Sequence, residues 1–203
     1  MKTNATLILG LLIATSMVSA QKMGTMTDPR DNQTYKTATF ETALAEFTWM
    51  AQNLNFEFQR ARDYENNKEN RNTLGLFYTW EDAQIVCPKG WHLPSIREWQ
   101  LLVENLGGEK KAGLALKSKQ GWNLNGNGNN SSGFNALPIY PKNNDGKNNK
   151  YPSSTYFWSS GGMKGAGHAN AFSISYTGYV HNVSKTLGLK LKRNAYPCRC
   201  VKD

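Results

Sequence analysis

The stretch Tyr78–Gly108, Y-T-W-E-D-A-Q-I-V-C-P-K-G-W-H-L-P-S-I-R-E-W-Q-L-L-V-E-N-L-G-G, decides how the rest of the chain is read. Its spacing predicts two helices joined by a tight corner. Trp80, Ala83, Gln84 and Cys87 fall at i, i+3, i+4 and i+7, one face of a first helix. Pro88 and Gly90 stop that helix, because proline lacks the donor a helix needs and glycine tolerates the turn. Ser95 and Glu98 form an S-x-x-E capping box at the start of the second helix. Trp99, Leu102, Val103 and Leu106 make its apolar stripe, and Gly107-Gly108 end it.

Upstream of this block, turn residues from Asp28 lead into a strand at Tyr35-Lys36-Thr37. The segment E-T-A-L-A-E-F at 41–47 reads equally well as a helical turn. Trp49 to Leu54 alternates as a strand whose Trp49 and Leu54 belong in the core, and residues 57–73 form a polar connector. Downstream, Ala112–Ser118 offers a short helix with Leu114 and Leu116 inward or shared, ending at Gly121-Trp122. The composition then changes. Ten asparagines lie between Asn123 and Asn149, with only the island Phe134–Pro138 to pin a long irregular excursion. Tyr156–Ser160 is a strand by aromatic content, and Gly161–Gly167 is a flexible link. Phe172, Ile174 and Tyr176 alternate on one face of a strand that turns at Thr177-Gly178 and pairs back through 179–183. Asn194–Val201 closes the domain and returns to the first helix. There is no internal repeat and no second domain.

The motif W-E-D-A-x-x-x-C-P-x-G-W-H-L-P-S-x-x-E-W resembles the signature of the Fibrobacter succinogenes major paralogous domain, a bacterial family. More distantly it is similar to the helix pair of C-type-lectin-like domains. Y-K-T at 35–37, W-M-A-Q-N-L at 49–54, G-F-N-A-L-P at 133–138, Y-F-W-S-S at 156–160 and R-C-V-K-D at the end follow in family order. The resemblance implies an α+β, C-type-lectin-like fold: two main helices packed on small antiparallel sheets, with a long irregular loop region that carries the ligand site. It also implies a second cysteine pair in many relatives where this chain has Asp63 and Arg71, so the connector here is expected to be slack.

Met1–Ala20 reads as a secretory signal: Lys2, the apolar run Leu7–Ala14, then the small-residue site Val18-Ser19-Ala20. The run is too short for a spanning anchor, and no cysteine follows it to carry a lipid. Residues 21–203 are thus expected to be one secreted, periplasmic or cell-surface domain. Export favours a disulfide among Cys87, Cys198 and Cys200 over a metal site. Cys198 and Cys200 lie on one strand face and are equally reachable from Cys87 by geometry. The family resemblance implies Cys87–Cys200, a bridge worth about 4–5 kcal/mol in the chain-entropy model.

The formal charge of +9 is unevenly placed. Residues 21–109 hold 9 Lys/Arg against 13 Asp/Glu, whereas residues 110–202 hold 14 against the single Asp145. Export makes nucleic acid an improbable partner for this cationic half; acidic polysaccharide, an anionic surface, an acidic protein or simple solvation all suit it.

Calcium, which lectin-like folds often use, needs several carboxylates; the excursion offers only Asp145, among Lys142, Lys147 and Lys150, and Asn143–Gly146 is better read as a turn. No cofactor is expected. His92, His168 and His181 form no catalytic or metal pair, and His92 suits a structural role. The glycine-rich 161–167 lacks the order of a phosphate loop. Cys198-x-Cys200 invites comparison with formylglycine-generating oxidases, whose other motifs are missing. Trp80, Trp91, Trp99 and Trp158 have core periodicity. Trp122, Tyr140, Tyr151 and Tyr179 sit in or beside loops, where an exposed ring stacks on sugar or anchors a partner and a buried one is a plug.

The reading is an exported, non-catalytic lectin-like binding module for an extracellular glycan or anionic surface ligand. Its candidate site is Trp122, Tyr140, Lys142, Asn144, Asp145, Lys147, Tyr151 and Tyr179. The alternative is a structural or adhesive surface protein that binds other proteins; an enzyme on the same fold comes third.

Overall fold

The capping box forms as its sequence demands. In the structure, a computed structural model that describes residues 21–41, 46–139, 152–162, 167–177, 180–181 and 188–203, the Ser95 side chain accepts from Glu98 N and the Glu98 carboxylate accepts from Ser95 N. In chain order the elements are β1 (Lys22–Thr27), β2 (Thr34–Glu41), β3 (Glu46–Met50), α1 (Arg71–Leu74), β4 (Phe77–Tyr78), α2 (Trp80–Ala83), β5 (Trp91–His92), α3 (Ile96–Asn105) and α4 (Glu109–Leu116). They continue with β6 (Ser154–Gly162), β7 (His168–Ser175), β8 (Val180–His181), β9 (Gly188–Leu191), β10 (Tyr196–Pro197) and β11 (Val201–Lys202). The architecture is α+β, with antiparallel sheets ordered β1-β2-β3-β11-β5 and β10-β4, and a third in which β7 pairs with β6, β8 and β9.

The first helix is shorter than its spacing predicts. Thr79 caps α2 by accepting from Asp82 N, and the chain leaves the helix after Ala83. Gln84 is therefore exposed rather than on the apolar face, Ile85 is 64% exposed, and Val86 takes the buried place. Cys87 lies beyond the helix. Residues 41 and 46–47 are strand, not helical turn, because β2 and β3 pair with Glu41 opposite Glu46 and Phe40 opposite Phe47. Cross-strand pairing overrides the helical composition there.

On α3 the stripe packs as read: Trp99, Leu102 and Val103 are buried, and Leu106 packs against them in part. Trp99 is the hub of the larger core. Its ring stacks on Phe172 at 4.2 Å, touches Trp49 at 4.5 Å and meets Phe134 and Phe157 within 6.0 Å. On α4, Leu116 is buried but Leu114 is 49% exposed. A second core gathers Met50, Leu54, Leu76, Tyr78, Val86, Trp158, Cys198 and Cys200. Trp80 and Trp91 lie at its rim, half-buried.

The closing segment returns as expected, in two pieces. β10 pairs with β4, just ahead of α2, and β11 lies between β3 and β5. Cys87 and Cys200 form a disulfide across 113 residues, while Cys198 is buried with a free thiol. Burial pushes that thiol's pKa up, so it stays protonated.

The 57–73 connector is not slack. Arg71 donates to both Asp63 carboxylate oxygens, at 2.7 and 3.2 Å, and to Glu57 at 2.8 Å. The hydrogen bonds from Arg71 hold the Asp63 carboxyl below its usual range. The two positions that resemblance marks as a missing cysteine pair carry an ion pair instead. Among the described residues no helix is long and apolar enough to cross a membrane.

Candidate functional site

The excursion after α4 folds onto itself through its asparagines. Asn125, Asn130 and Asn135 adopt positive φ, a conformation asparagine tolerates better than other side chains. Asn127 Oδ1 accepts from Trp122 N, Asn129 Oδ1 from Ser131 N, and Asn130 Oδ1 from Asn135 N. Much of the asparagine content of 123–135 is thus turn chemistry. Gly128 passes so close to the Lys117 carbonyl that any side chain there would collide with it.

Trp122 does not present an open ring. It is 5% exposed, and its indole N–H donates to Ser118 Oγ at 3.0 Å and to the Ala136 carbonyl at 3.2 Å. It plugs the loop into the core, because both acceptors for its N–H lie inside. Buried Lys117 stands 5.2 Å from the same ring and donates to the Tyr176 carbonyl; burial keeps its pKa below the ordinary lysine value. The other candidate residues, Tyr140, Lys142, Asn144, Asp145, Lys147, Tyr151 and Tyr179, lie outside the described residues.

A residue missed by the sequence reading pins this loop. Arg199 is 1% exposed, and its guanidinium donates to Asn53 Oδ1 at 2.8 Å, to the Asn135 carbonyl at 3.1 Å and to the Phe134 carbonyl. It also stacks 4.1 Å from the Phe134 ring centroid. No carboxylate pairs with it among the described residues. Burial lowers its pKa to about 9, which leaves it a cation at neutral pH. The sequence signal was the R in R-C-V, overshadowed there by the cysteine.

Against the pinned loop and the β1–β2 edge opens a cleft of about 420 Å³. Gln21, Lys36, Gln52, Asn130, Ser131 and Asn135 supply its polar wall, and Met23 its apolar one. Gln52 accepts from Lys36 N at 2.7 Å, which leaves its amide NH2 as a donor. The lining suits a hydroxyl-rich ligand and contains no carboxylate.

Charge is segregated as well. Among the described residues the ion pairs join Arg30–Asp28, Arg60–Asp82, Arg71–Asp63, Arg71–Glu57 and Arg97–Glu104, with His92 set between Glu98 and Asp203. None uses a Lys or Arg beyond Arg97. His92 is held at 2.7 Å by Glu98 and 2.6 Å by Asp203; burial disfavours its charge, but the two carboxylates outweigh that and raise its pKa. The imidazole is a structural clamp between β5, α3 and the chain's last residue. Among the described residues no three His, Cys, Asp or Glu side chains gather to hold a metal ion. Cys200 is committed to Cys87, so the Cys198–Cys200 pair that formylglycine-type chemistry would need is not formed.

A family model described as the Fibrobacter succinogenes major domain matches residues 30–202. Comparison with curated proteins and with solved structures gave no match.

Proposed function

The chain belongs to the Fibrobacter succinogenes major domain family, and from its charge distribution we infer an exported, non-catalytic binding module for an anionic extracellular glycan. The fold is read as C-type-lectin-like. Three features support that reading: α3 and the aromatic core it nucleates, the covalent tie between the α2 segment and the closing strand, and a long loop region set on that frame. Secretion rests on the leader-like residues 1–20 and on the disulfide, which persists in oxidising compartments.

One observation carries the ligand class. Asp28, Glu57, Asp63, Asp82, Glu98 and Glu104 of the N-terminal half pair with its own arginines or His92, while Lys190, Lys192, Arg193 and the exposed lysines of α4 have no carboxylate partner among the described residues. Unpaired cations on an exported surface attract polyanions over about a Debye length, roughly 10 Å at 0.1 M salt. The test is binding of the exported protein to sodium polygalacturonate and to neutral dextran at about 50 mM and about 200 mM salt. Polygalacturonate should bind and weaken steeply with salt, and dextran should bind far more weakly. Equal binding of both polymers, or tighter binding of duplex DNA than of polygalacturonate, overturns the reading.

A further inference from the structure

The face of β7 opposite Phe172 and Ile174 carries only small side chains, Ala169, Ala171 and Ser173. Their ladder neighbours are large. Tyr156 on β6 lies opposite Ser173, Trp158 lies opposite Ala171, and Lys190 on β9 lies opposite Ala169. The small side chains of the middle strand are buried, and the flanking side chains meet over them: Lys190 Nζ stands 4.2 Å from the Tyr156 ring centroid. Tyr196 on β10 closes one side, 5.2 Å from Tyr156 and 4.9 Å from Trp158. Just past β9, Lys192 Nζ stands 4.4 Å over the Trp80 ring, which is fixed in place because its N–H donates to the Ser159 carbonyl at 3.0 Å. Trp80, Tyr156 and Tyr196 are half-buried, so each keeps some surface in solvent.

Neither lysine has a carboxylate partner among the described residues; each ammonium group instead stands over the π face of a ring. We propose that this lysine-capped aromatic face is the binding site for a carboxylated polysaccharide, an assignment that rests on the anionic-glycan reading above and gives it a location. A uronic-acid residue offers two things at once. Its carboxylate is a better partner for an ammonium group than a ring quadrupole, since the hydrogen bond is charge-assisted. As the lysine swings to that carboxylate, the ring face it leaves is open to the apolar C–H face of the sugar. Lys110 and Lys111 on α4 are exposed but have no ring contact among the described residues, so they add charge without stacking there.

The experiment compares Lys190→Glu/Lys192→Glu with Lys110→Glu/Lys111→Glu, two variants of equal charge change, and adds Tyr156→Leu. Affinity for polygalacturonate and for polyaspartate is measured at about 50 mM salt, and urea unfolding confirms that each variant is folded. The first pair should lose about tenfold or more in polygalacturonate affinity and the second no more than about threefold. Tyr156→Leu should weaken polygalacturonate about fivefold and leave polyaspartate unchanged, because only the sugar stacks. Equal losses from the two lysine pairs overturn the site and leave the anionic-glycan reading standing. Equal effects of Tyr156→Leu on both polymers, or tighter binding of polyaspartate, overturn the ligand class and point to an acidic protein partner. A wild-type protein that binds no polyanion removes the general reading and the site with it.

Discussion

Arg199→Met tests whether a buried, carboxylate-free guanidinium holds the loop to the frame. Two effects oppose each other. Removing the cation relieves the cost of keeping a charge out of water, which in proteins is several kcal/mol before compensation. Against this, Asn53 Oδ1 and the carbonyls of Phe134 and Asn135 lose their donor, and the Phe134 ring loses its cation. A buried acceptor left unsatisfied costs about 1–3 kcal/mol. At the lower end, three acceptors cost about 3 kcal/mol, and the apolar methionine cannot rebond them. The relief term is small here because the wild-type charge already has three acceptors and two rings, Phe134 and Phe157, so the net loss should be about 2–4 kcal/mol.

The assay is urea unfolding at pH 7 with the disulfide intact, followed by tryptophan fluorescence, with hydrogen exchange at Phe134 and Ala136 as the local readout. Arg199→Lys should recover part of the loss, because an ammonium group keeps the charge but cannot span the three acceptors as a planar fork does. A destabilisation below about 1 kcal/mol with unchanged exchange at Ala136 would falsify the pin, since unsatisfied buried acceptors cannot be that cheap without solvent entry.

Two further expectations concern the other ties. Cys87→Ala/Cys200→Ala opens a loop spanning 113 residues; the chain-entropy model gives about 5 kcal/mol as an upper value, and a loss of about 3–5 kcal/mol is expected in urea. A loss below about 1 kcal/mol, or a native peptide map in which Cys198 is the bridged residue, would sink it. His92 gives a pH signature. Its folded pKa is raised, so its contribution is full below the unfolded imidazole value of about 6.5 and fades as pH rises through the folded value. Burial works against the Glu98 charge, but hydrogen bonds from Ser95 and His92 prevail and lower its pKa, so the Glu98 contribution fades only as pH falls through the acid range. The stability difference between wild type and His92→Gln should therefore be largest near about pH 5–6 and smaller by about pH 9; a difference that does not vary with pH would exclude the clamp.

The sequence made some parts legible because a single local rule decided them. Ser95 and Glu98 cap α3 through contacts three residues apart, and Trp99, Leu102 and Val103 follow from helical period alone. Phe172 and Ile174 follow from strand alternation. Other features depended on partners far away in sequence. One helical turn and two share their first members, so Trp80 and Ala83 fit both; α2 nevertheless ends after one turn, with Asp82, Ala83 and Val86 buried. Arg60 reaches Asp82 from 22 residues upstream at 3.0 Å. Trp122 was ambiguous for the same reason, since one acceptor for its N–H comes from Ala136 across the loop. Arg199 was invisible because its acceptors, Asn53 Oδ1, Phe134 O and Asn135 O, lie 146, 65 and 64 residues away, and no local pattern marks a carbonyl as waiting for a guanidinium. The Asp63–Arg71 pair was legible as two positions and not as a bond.

The four residues Cys198 to Val201, which lead from β10 into β11, show how alternating side chains join parts that no local rule connects. Backbone carbonyls of Cys198 and Cys200 accept from Leu54 N and Met50 N, which fixes the segment to the β3 region. Cys198 and Cys200 face the core that contains Tyr78 and Val86, so the disulfide to Cys87 lies on that side. Arg199 and Val201 face the other way, toward Phe134 and Trp99, and so tie in the loop. Each of these ties is buried, and buried interactions are screened little by salt. The lysines at 190 and 192 are only half-buried and lack carboxylate partners among the described residues, so their attraction for a ligand is screened. In the proposed site, frame and recognition therefore draw on different physics: a change of charge at Lys190 and Lys192 is expected to alter binding while the buried ties of 198–201 stay in place.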